Sequence, residues 1–470
     1  MNIDLIKEVE KGQQDWAFTI GVQAYIWGYP IVECWKDRLK KSWTSVNLEN
    51  GSSEMVSNVN NFRHVRDLSS YDSSEFVNSA SDFLYSTAVI DLSDGPLILN
   101  APNFDSRWYG IQVLDAYMET LANFGTRTVG SEMTPVILCN QSQRKKLSKD
   151  DLVVVSEINY LYIVVRVCAG PEENLTDIHD LQNKITLSEL NRSSNGEPTY
   201  NVGSHDLTLK PLVSASSDCP DALSFFEELA SVIKFVPPKL DEGLLLGIFQ
   251  EIGISLEKGF DYHSLPRGVK AGLAQAVPFA ESILERKIFE VGQNINGWGF
   301  VQNIGNYDKN YIIRALVAKH GIWANVAEES VYYIARTDSD GNVLHGNNDY
   351  EITFHDGNLP PVNAFWSISY YDENGNIVKE SNGKSAINSL YNNLYVNDDG
   401  SIKIIIAKKA PENHMKNNWL PSHAGMFNLN FRCYNPQQAI LEQDYSVPFI
   451  QNTRSLSETL SLSTMSSSYA

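Results

Sequence analysis

Carboxylates, phenols and arginines crowd one part of this chain. Asp82, Tyr85, Asp91, Arg107, Asp115, Tyr117 and Arg127 fall in a run otherwise built from β-branched and aromatic residues. A carboxylate there could act as general base or acid, and a phenol could donate a hydrogen bond to a substrate oxygen. Arg127 lies in Gly125-Thr126-Arg127-Thr128-Val129-Gly130, where flanking glycines would let a planar guanidinium approach a carboxylate or phosphate. The architectural alternative is that Arg127 pairs with Asp82 or Asp115 and ties strand ends together. Strand alternation predicts Asp115, Tyr117 and Glu119 on one face, with Leu114, Ala116 and Met118 on the other.

A second concentration lies near the C-terminus. In PPVNAFWSISYYDENGN, residues 360–376, the two prolines belong at a strand entrance, so the strand begins near Val362. Ala364, Trp366, Ile368 and Tyr370 then share one face, predicted to be the core. Phe365, Ser367, Ser369 and Tyr371 share the other, which mixes aromatics with hydroxyls that could line something. Asn418-Trp419-Leu420-Pro421 sets an amide beside an indole. Such a loop either closes a pocket, with Trp366, Asn418 and Trp419 touching a ligand, or caps the open end of a β core.

The common catalytic signatures are absent. There is no GxSxG, GxxxxGK[ST], HExxH or GxGxxG pattern. The nine histidines are dispersed, so neither a metal nor a cofactor is expected. DSDGN, DENGN and NDDGS look like calcium loops but lack the later glutamate, and read as hairpin turns. The five cysteines, scattered and odd in number, read as free thiols. A net charge of −20 argues against nucleic acid and anionic membrane as partners. Arg63, His64 and Arg66 form a local basic spot, expected to pair with carboxylates. The N-terminus has acidic residues where a signal peptide would be basic, and no run approaches a membrane span. A cytoplasmic protein is therefore expected. Self-association is left open.

The elements that must position these residues alternate in type. Residues 4–40 show helical spacing until Gly28-Tyr29-Pro30 interrupts it. From Phe83 to Arg166, short β-branched and aromatic runs separated by turns suggest an antiparallel sandwich. Asn174 to Pro211 is polar and reads as loop. Asp221 to Gly292 holds three helical stretches, and Lys309 to Arg336 reads as a helix entering a strand. The fold class is α+β and multidomain: an N-terminal helical segment (1–70), a first β-sandwich (71–215) and a helical connector (216–330). A second, jelly-roll-like sandwich (331–452) and a Ser-rich tail (453–470) complete it.

The run SDFLYSTAVIDLSDGPLILNAPNFDSRWYGIQVLDAYMETLANFGTRTVG resembles the N-terminal half of proteins that pair the domains of unknown function 1254 and 1214. NGWGF, DKNYIIRALVAKHGIWAN, LPPVNAFWSISYYDENG, DDGSIKIII and NNWLPSHAGMFNLNFRCYNP are similar to the second domain of that pair. The resemblance implies two β-rich domains with intervening helices, and no activity. From the residues, the expectation is a small-molecule hydrolase acting on an anionic or polar substrate in an inter-domain cleft. Asp82 or Asp115 would be base or acid, Tyr85 or Tyr117 donor, and Arg127 anion holder. The alternative is a non-catalytic ligand-binding or assembly protein.

Overall fold

The computed structural model describes residues 3–47, 53–57, 59–73, 76–192, 198–201, 219–379 and 384–453. The Ser-rich tail beyond 453 lies outside them. The helix Ile3–Ser42 runs unbroken through Pro30, contrary to the predicted interruption. Pro30 removes one helical N–H, whereas Ala17, Ile20, Ala24, Trp27 and Ile31 bury a stripe against the helices Ser224–Phe235, Arg267–Lys287 and Tyr311–His320. That burial, worth roughly 1.5–3 kcal/mol per large side chain, outweighs the ~3 kcal/mol of a helix-interior proline. The helices touch closely at Gly272, where a Cβ would collide with the Gln14 carbonyl.

The first β unit holds two sheets. One is antiparallel, ordered Phe62–His64, Phe83–Asp91, Tyr160–Cys168, Tyr109–Asp115, Thr120–Gly125. The other is mixed, ordered Pro198–Asn201, Thr186–Arg192, Leu97–Asn100, Val136–Asn140, Val153–Ser156, its last two strands parallel. Leu84, Ile111 and Ile163 from one sheet share a core with Leu99, Leu138 and Leu187 from the other. Part of Asn174–Pro211 is therefore not loop, since it supplies the helix Thr176–Asn183 and two strands. Pro198–Asn201 is the edge of its sheet and Thr186–Arg192 the strand next to it, and an edge strand keeps polar residues.

The second unit repeats the plan. Six strands order as Gln293–Ile295, Trp298–Phe300, Ser330–Ala335, Phe427–Pro436, Val362–Asp372, Ala386–Asn388. Four more form a mixed sheet, with Ile402–Ala407 parallel to Trp419–Pro421. The chain is thus a mixed α+β protein. Its turns follow the chemistry expected of them: the carboxylates of Asp338 and Asp372 each accept backbone N–H groups inside their own loops. All five cysteines are buried and free. Among the described residues no helix is long and apolar enough to cross a membrane.

Candidate functional site: a chamber between the two β units

Strand alternation builds the site. Along Val362–Asp372, Trp366, Ile368 and Tyr370 enter the core of the second unit, as predicted, whereas Ala364, predicted with them, packs on the seam side, where the register shifts between Val362 and Phe365. Along Phe427–Pro436, Leu429, Phe431 and Cys433 do the same. The opposite face carries Ser367, Ser369, Tyr371, Asn430, Arg432 and Tyr434, all buried against the first unit. This face is an internal seam. Asp82 of the first unit accepts hydrogen bonds from Ser367 Oγ (2.7 Å) and Asn388 Nδ2 (2.8 Å) of the second. Tyr371 donates to the Ser79 carbonyl at 2.7 Å, and Arg432 to the Asn78 carbonyl at 2.7 Å.

Beside the seam the two units and the helices leave a chamber of about 110 Å³. Its walls are mostly apolar: Ile288, Val291, Val301, Ile304, Ile313, Leu316 and Val317 come from the helical region, Phe83 from the first unit and Ile334 from the second. Two arginines also line it. Arg166, 6% exposed, is aligned with Tyr85 in the first unit's sheet. Its guanidinium donates to Gln112 Oε1 (3.1 Å), Asn325 Oδ1 (2.9 Å) and the Trp323 carbonyl (2.6 Å). Arg432, 3% exposed, donates to Ser369 Oγ and Tyr371 Oη besides Asn78. Asn430 Oδ1 and His320 Nε2 also belong to lining residues, are buried and have no partner. Burial lowers His320 to about 4, helped by Arg336, so its ring is neutral at pH 7. Burial also pushes Tyr85 up to about 12.

A wider opening of about 880 Å³ adjoins the chamber and shares Phe76, Val77, Asn78, Ile288, His320 and Ile322 with it. It carries Glu33, Asp37, Glu285 and Glu373 with Lys36, Lys319 and Arg336, a balanced mouth on an acidic protein. A separate open cleft of about 810 Å³, also between the units, is bordered by Asp82, Lys384, Asn388, Tyr391 and Trp419.

The residues singled out from the sequence are distributed across these places. Tyr85 lines the chamber, whereas Asp82 and Trp419 border the open cleft. Burial raises the Asp82 carboxyl, in spite of its bonds from Asn388 and Ser367. Asp115, Tyr117 and Glu119 do not share a strand face: the strand ends at Asp115, and Met118 takes a φ of 67° in the turn that follows. Asp115 Oδ1 accepts the backbone N–H groups of Tyr117 and Glu119 and so holds that turn, while Tyr117 donates to the Val236 carbonyl. Arg127 pairs with neither Asp82 nor Asp115; it grips Glu329 of the second unit through Nε (2.8 Å) and Nη2 (2.7 Å). Trp366 is in the second unit's core beside Phe354 and Phe431. Asn418 is buried and its amide is spent on Tyr395 and Lys403. Arg66 reaches backbone and amide oxygens at the end of the helix Thr176–Asn183, where a cation suits the helix dipole, rather than the carboxylate partner expected for it.

Arg166, Asn430, Arg432 and His320 escaped the sequence reading. The signal was present in the strands: YLYIVVRVC carries one arginine in an otherwise apolar run, and FNLNFRCYNP alternates apolar residues with Asn428, Asn430 and Arg432. A charge inside a strand of that kind needs a buried counterpart or a ligand. Among the described residues no group of three or more His, Cys, Asp or Glu could hold a metal ion.

Comparison with known proteins places two family models on the chain, both described as proteins of unknown function: DUF1254 over residues 59–189 and DUF1214 over residues 329–438. No curated protein matches. Among solved structures, the VPA0106 protein from Vibrio parahaemolyticus is similar with a TM-score of 0.64 and 19% identity, covering 93% of this chain and 99% of that one. An uncharacterised protein from Burkholderia cenocepacia covers 94% of each chain at 11% identity, with a TM-score of 0.43.

Proposed function

We propose that this chain, which pairs a DUF1254 domain with a DUF1214 domain, binds a small and largely apolar molecule in the chamber where the two meet the connecting helices. One observation carries the proposal: the chamber needs both matched segments at once. Arg166 and Tyr85 come from the first, Tyr332, Asn430 and Arg432 from the second, and the apolar helical wall from the residues between them. Apolar walls with a few convergent polar groups are the usual make-up of a ligand site. Asn430 and His320 add buried polar atoms that a ligand could meet, although the chain holds such atoms away from the chamber too, on Arg314 and Glu242 for example. We read each pair of sheets as a sandwich, the ligand lying between the sandwiches rather than inside either.

The test is occupancy by shape alone. Toluene at saturating concentration is expected to raise the melting temperature of the wild type, because a ligand that binds only the folded state stabilises it. Val317→Trp, which fills the chamber from the helix side, is expected to abolish the shift. No shift with toluene or with any similar-sized apolar probe would overturn the proposal.

A second reading, hydrolysis of a polar substrate in the open cleft, is favoured by Asp82. Its carboxyl, held protonated to higher pH by burial, borders that cleft with Trp419 and could serve as a general acid. Asp82→Asn should then remove turnover found in an ester and amide screen while leaving toluene binding intact. Unchanged turnover in that variant would discard the reading.

A further inference from the structure

We propose that the chamber's ligand is an anion: a small carboxylic acid with a compact apolar body, its carboxylate set against Arg166. This rests on the chamber being a ligand site, and adds the chemical class. Arg166 is a buried cation whose hydrogen-bond partners, Gln112, Asn325 and the Trp323 carbonyl, are all neutral. Arg432 is held likewise by a hydroxyl, a phenol and a carbonyl. Among the described residues neither guanidinium lies in an ion pair, although Asp82 acts on Arg432 through its field. Taking a guanidinium out of water is costly unless an opposite charge joins it. The folded chain supplies Arg166 with geometry but no charge. An entering carboxylate would supply the charge, and a planar guanidinium is the side chain best shaped to receive one.

The rest of the chamber sets the body of the acid. Ile288, Ile313, Leu316 and Val317 offer no hydrogen bond, so the part of the ligand that meets them is apolar. The volume of about 110 Å³ is near the scale of cavities that accept benzene, roughly 150 Å³. A cation of the same shape would meet two buried positive charges. His320, the polar ring shared by chamber and mouth, is neutral at pH 7 and adds no third.

Three probes of one shape decide the matter: benzoate, toluene and benzylammonium, titrated calorimetrically into the full chain at pH 7. Benzoate is expected to bind about tenfold or more tighter than toluene, and benzylammonium not at all. Arg166→Met should abolish the preference for benzoate while toluene still binds, which also reports that the variant is folded. Asn325→Asp tests the same idea from the other side: Asn325 Oδ1 already accepts from Arg166, and a carboxylate in its place should supply the missing charge and weaken benzoate about tenfold or more. If toluene binds and benzoate binds no tighter, the anionic class is overturned and the chamber site stands. If no probe binds, the site itself falls. If Asn325→Asp leaves benzoate affinity untouched, Arg166 is not the group that holds it.

Discussion

Two buried arginines, Arg314 and Arg166, face opposite situations. Arg314, 1% exposed on the helix Tyr311–His320, has Glu119 at 3.6 Å and Glu242 at 3.8 Å, and its guanidinium lies over the rings of Tyr117 and Tyr311. Asp115 nearby is matched by Lys239 at 3.4 Å. Each carboxylate there has a cation of the chain within 4 Å, although Arg314 Nε and Nη2, Glu119 Oε1 and Glu242 Oε2 make no hydrogen bond. Arg166 is as well hydrogen-bonded as Arg314, or better, yet all its partners are neutral and it borders empty volume. Charge matched internally marks a scaffold. Charge held by neutral groups beside a cavity is the contrast on which the proposed ligand site rests.

The largest effect should come from breaking the matched site. Arg314→Met leaves Glu119 and Glu242 buried without a cation, and about 3–5 kcal/mol of stability should be lost in urea denaturation. An intermediate effect is expected from pH. The folded-state value of His320 is lowered from 6.5 to about 4 by burial first, then by Arg336 and Lys319, with Glu285 and a backbone contact to Leu284 opposing. Unfolding therefore takes up a proton between those values. Its contribution is fully present above pH 6.5 and is lost as pH falls toward 4, by up to about 3 kcal/mol. His320→Gln should flatten that part of the stability profile, and an unchanged slope would show that the ring is not buried neutral. The smallest effect belongs to Arg166→Met, on the order of 1–2 kcal/mol, because a buried charge is removed and water entering the chamber can satisfy the acceptors left behind. A loss as large as that of Arg314→Met would erase the contrast between the two arginines.

Much of the frame was legible from local chemistry. The prolines before Val362, the period-2 pattern from Phe365 through Tyr371 and the Asp372 turn each act over a few residues and are found where the sequence places them, whereas the register shift before Phe365 carries Ala364 to the seam side. What sequence could not supply was the meaning of the mixed face. Ser367 and Ser369 look like candidate site hydroxyls until Asp82 and Arg432 are seen to hold them. Tyr117 reads as strand in the sequence because no glycine announces the turn at Met118, which the Asp115 carboxylate holds in place. Arg127 found a glutamate 202 residues away rather than either aspartate near it. Pairings at that range depend on how the two units dock, and local spacing says nothing about docking.

The seam at Asp82 also has a bearing on synthesis. Its partner Ser367 is 285 residues further along the chain, and Asn388 is 306. At about 5–20 residues per second, a ribosome needs on the order of 15–60 s to travel from one to the other. For that interval the first unit can fold its core but has nothing to lay against Phe83, Tyr85 and Trp108, which the finished protein buries in the seam. A nascent chain stalled in this window would show a sticky aromatic face with a carboxylate at its edge, the surface a chaperone would be expected to shield until the strands from 362 onward arrive.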